Sequence, residues 1–260
     1  MNGSLAPVSI GILTCRRPSG AVYLFDTIAA IDREGAADVE TKAIFVDGDT
    51  GFAAEISPRV PPGWSVVPLG RTEFSCGAAA YKEALAQLAR ARRDVLMFED
   101  DVALCRRAIE RMIATEVPPN DGLVSFFDMK EFPPGAAPGL FCIRPSTAER
   151  HAVDKPAAAE YLGLWGSQCY RFPIDVVDWL MAQDWTAAKL WPHGQDLVVG
   201  NLVERHPSRS LVAFHVPCLV EHVGQVSAYS PFGLTGRTAT NFAGLEADAM
   251  ALPAFAPQTP

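Results

Sequence analysis

Residues 95–104, Val-Leu-Met-Phe-Glu-Asp-Asp-Val-Ala-Leu, carry a short apolar run that stops abruptly at three consecutive carboxylates, Glu99, Asp100 and Asp101. The run has the length of a buried strand, and the acids follow at its carboxyl end. Adjacent carboxylates repel one another unless a cation sits among them. A divalent ion does this well, because hard cations such as Mg²⁺ or Mn²⁺ select oxygen ligands and share them with substrate phosphates. One reading is therefore a metal-bridged diphosphate site at the end of a central strand. The other is an acidic strand-to-helix turn whose carboxylates favour a helix N-terminus.

The segments around this strand alternate in kind. Val8 to Leu13 is an apolar run that opens onto Thr14-Cys15-Arg16-Arg17-Pro18, and residues 21–31 have the spacing of an amphipathic helix. Further β-like runs cover Lys42 to Val46, ending in Asp47-Gly48-Asp49, and Trp64 to Leu69; an alanine- and leucine-rich helix from Phe74 to Arg92 leads into Val95. Strand–helix alternation predicts an α/β fold with a mostly parallel sheet flanked by helices. The second half is less regular: strands are expected at Leu123 to Phe127, within Tyr161 to Phe172 and at Leu211 to Val216, with helices at Ile174 to Met181 and Asp196 to Val203. A Pro/Gly-rich loop covers Phe132 to Pro138. Beyond residue 240 alanine, proline and threonine dominate. The expectation is one domain over 1–240 and a weakly ordered tail over 241–260.

In open α/β sheets, ligands collect beyond the carboxyl ends of the strands. Thr14 to Arg17, Asp47 to Asp49 and Glu99 to Asp101 all fall at such ends, which strengthens the case for a site. Thr14 and Arg16 are the candidates on the first strand, and Arg17 is equally placed. Asp47 and Asp49 suit base or ribose recognition, or ordinary Asp-Gly-Asp turn chemistry. Arg71 and Lys82 are candidate diphosphate contacts, since cations stabilise the charge of a departing phosphate; each is otherwise a solvated surface charge.

Bulk properties narrow the partners. Net charge is −8 over 260 residues, which argues against a general nucleic-acid surface, and 49% hydrophobic content supports a sizeable core. No run of about eighteen apolar residues occurs, and the opening Met-Asn-Gly-Ser-Leu has no basic start, so neither a transmembrane segment nor a signal peptide is expected. Six scattered cysteines (Cys15, Cys76, Cys105, Cys142, Cys169, Cys218) without a CxxC pair fit free buried thiols in a reducing cytoplasm.

The order helix, apolar strand, Glu-Asp-Asp in residues 81–101 resembles a GT-A (Rossmann-like) glycosyltransferase. A second stretch, residues 216–230, is similar to the C-terminal motif of the N-acetylglucosaminyltransferase-IV family, Pro-x-Leu-x-x-His-Val-Gly-x-x-Ser. The matching residues are Pro217, Leu219, His222, Val223, Gly224 and Ser227, and Asp178-Trp179-Leu180 resembles a further segment of that family. The likeness covers about half the chain in three islands; this sequence is shorter than the eukaryotic relatives, and no counterpart of their membrane anchor is expected in it.

The resemblance implies a metal-dependent inverting glycosyltransferase, an enzyme of the hexosyltransferase class. Its donor would be a nucleotide-sugar, UDP-linked, with UDP-N-acetylglucosamine among the candidates. The acceptor would be a hydroxyl on a glycan, a lipid-linked sugar or a peptide. Asp101 and His222 would bind the metal, Mn²⁺ in preference to Mg²⁺ because imidazole suits manganese. Glu99 and Asp100 would serve as ligand, ribose contact or support, and Gly224 and Ser227 would approach a phosphate. His222 can equally be a satisfied core side chain, and Gly224 with Ser227 an ordinary turn. Asp196 is the chosen base for the acceptor proton, or else a helix cap; Asp128 and Glu131 are weaker competitors. Gly163, Trp165 and Gly166 would shape a sugar pocket, or Trp165 the core. Two other functions fit the acids: a nucleotidyltransferase, which would favour more glycine after the first strand, and a non-catalytic sugar-nucleotide-binding module.

Overall fold

Two strands at the centre of the sheet are buried on both faces, and their side chains alternate between two cores. On β4 (Asp94–Glu99) Leu96 and Phe98 enter one core, while Val95 and Met97 enter the other. β1 (Val8–Cys15) is buried along its whole length and divides in the same way, with Ile10 and Ile12 on one side and Leu13 on the other. Alternation is a strand's natural period, and two apolar faces require cover on both sides. The cover is two helical layers. α1 (Leu24–Ile31), α2 (Thr50–Ile56) and α4 (Ala108–Ala114) line the first core. α3 (Gly77–Leu88), α5 (Ile174–Met181) and α6 (Gln195–Val203) line the second.

These positions come from a computed structural model, which describes residues 7–17, 23–37, 39–70, 77–128, 138–145, 164, 166–187, 194–224, 239, 241–252 and 257–258. The remaining strands are β2 (Thr41–Asp47), β3 (Trp64–Pro68), β5 (Val102–Leu104), β6 (Asp121–Ser125), β7 (Gly139–Ile143), β8 (Cys169–Phe172), β9 (Leu211–Val216), β10 (Val220–His222) and β11 (Pro257–Gln258). Among the described residues, nine of the eleven strands form one sheet in the order β3-β2-β1-β4-β8-β6-β9-β7-β11. Neighbours pair in parallel for β3-β2, β2-β1, β1-β4, β6-β9 and β7-β11, and antiparallel at β4-β8, β8-β6 and β9-β7. The chain is thus an α/β domain with a mostly parallel sheet between helices, as its alternating pattern predicts.

Two departures from a purely parallel sheet matter for the site. β8 runs against β4, with Cys169 opposite Phe98, so the residues leading into β8 arrive where β4 ends. Separately, β5 and β10 form a two-stranded antiparallel ribbon outside the main sheet, with Val102 opposite His222. In the C-terminal extension, Phe242 bridges Cys218, Asp248 bridges Arg106, Ala249 is fully buried, and Pro257–Gln258 adds to β7. Apolar side chains at Phe242 and Ala249 have core to cover, which a composition rich in alanine and proline does not reveal.

Among the described residues no helix is long and apolar enough to cross a membrane. The five described cysteines are buried and free of disulfides, in keeping with their scatter; Cys76 lies outside the described residues.

Candidate active site

Parallel pairing sets the carboxyl ends of β1, β2 and β4 side by side: Cys15 is opposite Asp47, and Leu13 is opposite Glu99. One residue further along, Thr14 Oγ1 donates to Asp100 Oδ2 at 2.5 Å. Thr27, on α1, donates to the Asp100 carbonyl at 2.9 Å and accepts from the Val102 amide at 3.2 Å. The acidic turn is therefore held on both sides, by the first strand and by the first helix.

Arg17 turns into this turn. Its Nη2 donates to Asp100 Oδ1 and, at 2.9 Å, to Asp101 Oδ2. Arg16 turns the other way, to Asp49 and Glu55 at 2.7 Å each, and packs over the Phe52 ring. Asp49 is the N-cap of α2, accepting from the Phe52 amide at 2.9 Å, and the Arg16 guanidinium with this bond holds its carboxyl below the usual range. Of the two arginines at the end of β1, Arg17 reaches the carboxylates.

The β5–β10 ribbon delivers His222, whose Nε2 lies 3.1 Å from Asp101 Oδ2. The Val223 amide donates to the Asp101 carbonyl at 2.9 Å, which locks the ribbon's end to the acidic turn. Gly224 follows against both groups. A Cβ there would lie 2.7 Å from Asp101 Cγ and 3.0 Å from His222 Nε2, so only glycine lets the chain pass this close.

Glu99 is gripped from the opposite side by residues that the reversed β8 and the start of α6 bring in. Ser167 Oγ and Gln195 Nε2 (3.0 Å) donate to Oε1, and Gln168 Nε2 (3.2 Å) donates to Oε2. Burial, reinforced by the Asp101 charge, pushes the Glu99 carboxyl up to about 7. Burial also raises Asp100, against the opposing pull of Arg17. For Asp101 burial opposes ionisation, but His222 and Arg17 outweigh it and hold the group below the usual carboxylate range. Asp101, shared by the histidine and the arginine, is thus the one of the three whose charged form the surroundings favour over an ordinary carboxyl.

Three ligand atoms converge here, one each from Glu99, Asp101 and His222, all within 4.8 Å of one another. An octahedral ion about 2.1 Å from its ligands sets neighbouring ligands about 3 Å apart and opposite ones about 4 Å apart, so small adjustments accommodate one. Asp101 Oδ1 is buried and without a hydrogen-bond partner among the described residues, as an oxygen reserved for a cation would be. One guanidinium set against three carboxylates also leaves room for further positive charge. The donor set, two carboxylates and an imidazole, fits a divalent ion such as Mn²⁺.

The other candidates divide. Asp47 is buried at the end of β2, next to Cys15, whose thiol burial pushes up to about 12. Lys82 donates to the Gln183 carbonyl at 3.3 Å and faces the Trp185 ring. Asp196, in the first turn of α6, accepts from the Gly166 amide at 2.8 Å and the Leu197 amide at 2.9 Å, and its charge contributes to the upward shift of Glu99. Asp128 is buried just beyond β6. Arg71, Glu131, Gly163, Trp165 and Ser227 lie outside the described residues. Ser167, Gln168 and Gln195 escaped sequence reasoning; the one signal available was that Gln195 adjoins Asp196.

No protein-family model and no curated protein sequence matches the chain. Among solved structures it is similar to the apo structure of WbbM, a bifunctional glycosyltransferase, with 14% identity and a TM-score of 0.45. The match covers 82% of this chain and 40% of that one, so the chain spans about two-fifths of that protein's length.

Proposed function

We propose that this chain is a metal-dependent glycosyltransferase that moves a sugar from a nucleotide-sugar, UDP-linked, to an acceptor hydroxyl with inversion. The observation that carries the reading is the meeting of Glu99, Asp101 and His222 at the carboxyl edge of the sheet, with Asp101 Oδ1 left without a partner among the described residues. The likeness of residues 216–230 to the N-acetylglucosaminyltransferase-IV motif adds support, because His222 and Gly224 of that motif are the residues lying against Asp101.

Asp101, His222 and Glu99 would hold Mn²⁺, or Mg²⁺ in its place. Such an ion, when bound, neutralises the charge that grows on a departing diphosphate. Thr14, Asp100 and Arg17 hold the acidic turn in register, while Ser167, Gln168 and Gln195 fix Glu99. Gly224 keeps the approach open, and Asp47 would meet the nucleoside at the end of β2. Asp196 is proposed as the base. The acceptor oxygen forms a bond to the anomeric carbon as that carbon's bond to the diphosphate oxygen breaks; the acceptor's proton passes to Asp196, and the nucleoside diphosphate leaves with the bonding pair.

The test is free UDP, measured with Mn²⁺ and a panel of UDP-sugars, with and without hydroxyl acceptors. UDP release should require Mn²⁺ and fall about 100-fold or more in Asp101→Asn, with the melting temperature held within a few degrees. Asp196→Asn should retain UDP and Mn²⁺ binding while losing transfer. Full activity in Asp101→Asn removes the reading; pyrophosphate as the product would instead make the chain a nucleotidyltransferase, and binding without turnover a non-catalytic module.

A further inference from the structure

The acidic turn contains a cation of its own. The Arg17 side chain is 7% exposed, and those of Asp100 and Asp101 are 8% and 4% exposed. Asp101 Oδ2 is shared between Arg17 Nη2 at 2.9 Å and His222 Nε2 at 3.1 Å. The carboxylate that would ligate a metal beside His222 is therefore already engaged by a guanidinium. Asp100 anchors that guanidinium from the other side, and Thr14 anchors Asp100.

We propose that Arg17 is a resident counter-ion that couples metal binding to donor binding, so that a bare divalent cation is held weakly and one accompanied by a nucleoside diphosphate is held tightly. The diphosphate limb rests on the glycosyltransferase reading above; the limb concerning the metal alone does not.

The argument is electrostatic. A divalent ion entering beside Asp101 meets the positive charge of Arg17 at short range, where burial strengthens repulsion. It also shares the Asp101 carboxylate with Arg17, which holds Oδ2 while Oδ1 is open to the ion among the described residues. A diphosphate brings enough negative charge to reverse that balance, and a guanidinium is a good partner for phosphate oxygens. Arg17 need not leave, because Asp100 and Asp101 Oδ2 hold it while Asp101 Oδ1 faces the ion. By linkage each ligand tightens the other by the same factor. Arg17 is thus a positioning residue, acting through Asp101 on the ion and toward the donor's phosphates.

The experiment measures Mn²⁺ binding to the intact chain from the resonance of free Mn²⁺, with and without UDP. In the wild type, UDP should tighten Mn²⁺ about tenfold or more. Arg17→Gln should bind Mn²⁺ alone about tenfold more tightly than the wild type, and UDP should then add less than about threefold. Arg17→Lys retains the charge and should match the wild type for Mn²⁺ alone. Unchanged or weaker Mn²⁺ binding in Arg17→Gln overturns the proposal. Equal Mn²⁺ affinity with and without UDP in the wild type also overturns it, and this needs no variant to fold. Coupling without sugar transfer would sink only the glycosyltransferase reading; sugar transfer without coupling would sink only the role of Arg17.

Discussion

Replacing Gly224 with alanine tests the geometry of the site with one methyl group. Gly224 is absent from the positive-φ residues, so its backbone is open to any amino acid and the effect is one of space. The new Cβ would lie 2.7 Å from Asp101 Cγ, whereas carbon atoms rest about 3.5 Å or more apart. It would lie closer still to Asp101 Oδ2, so Asp101 or the chain at 224 must yield by more than about 1 Å. Neither moves freely. The Asp101 carboxylate is held by Arg17 at 2.9 Å and faces His222 at 3.1 Å, and its carbonyl accepts from Val223 at 2.9 Å. A displacement near 1 Å at a reacting centre costs about 100-fold in rate.

Stability should change less. Overpacking costs about 1–3 kcal/mol, offset by about 0.4–1 kcal/mol from the smaller entropy of the unfolded chain. Gly224→Ala is therefore expected to lose about 100-fold in Mn²⁺-dependent UDP release, with a net stability loss of at most about 2–3 kcal/mol in urea unfolding. Activity within about threefold of the wild type would refute the crowding argument, and a global loss of fold would show that 224 serves architecture and not the site.

Two further expectations concern the scaffold. Arg171, nearly buried, donates to the carbonyls of Met112, Ile113 and Thr115 and to Asp94, joining β8 and β4 to the end of α4. Arg171→Met removes all four of these bonds at once and should cost about 3–5 kcal/mol in urea unfolding; a loss below about 1 kcal/mol, typical of a surface pair, would contradict the assignment. Burial pushes the Asp121 carboxyl from 3.8 up to about 6, against the weaker opposing effects of Cys142 and Arg209. The folded chain thus holds this proton more tightly than the unfolded one, so stability is present at low pH and is lost as pH rises from about 4 through about 6. At about 1.4 kcal/mol per pH unit the penalty approaches 3 kcal/mol near neutrality. Asp121→Asn should consequently gain up to about 3 kcal/mol over the wild type at pH 7 and little at pH 4. An equal difference at both pH values would count against it.

Much of the scaffold is legible in consecutive residues, because run length and apolar period are local properties. The runs at 8–13, 42–46 and 95–98 are strands, the run at 64–69 is a strand as far as Pro68, and Ile174–Met181 is a helix over its whole expected span. The segments that escaped are short. α2 and α4 have seven residues each, and β7 emerges directly from a Pro/Gly-rich stretch, so none shows enough periods to stand out.

The chain order alone was enough to put Glu99, Asp100 and Asp101 at the end of a buried strand, beside the ends of β1 and β2. Parallel pairing of neighbouring βα units brings such ends together without further information. What completes the cluster was decided at a distance. His222 reaches Asp101 across 121 residues through the β5–β10 ribbon, and Ser167 and Gln168 reach Glu99 because β8 runs backwards. The choice of Arg17 over Arg16 turned on whether Asp49 and Glu55 or Asp100 and Asp101 offered the nearer carboxylates. Strand direction, ribbon pairing and the destination of a side chain depend on packing across the whole domain. No window of neighbouring residues contains them.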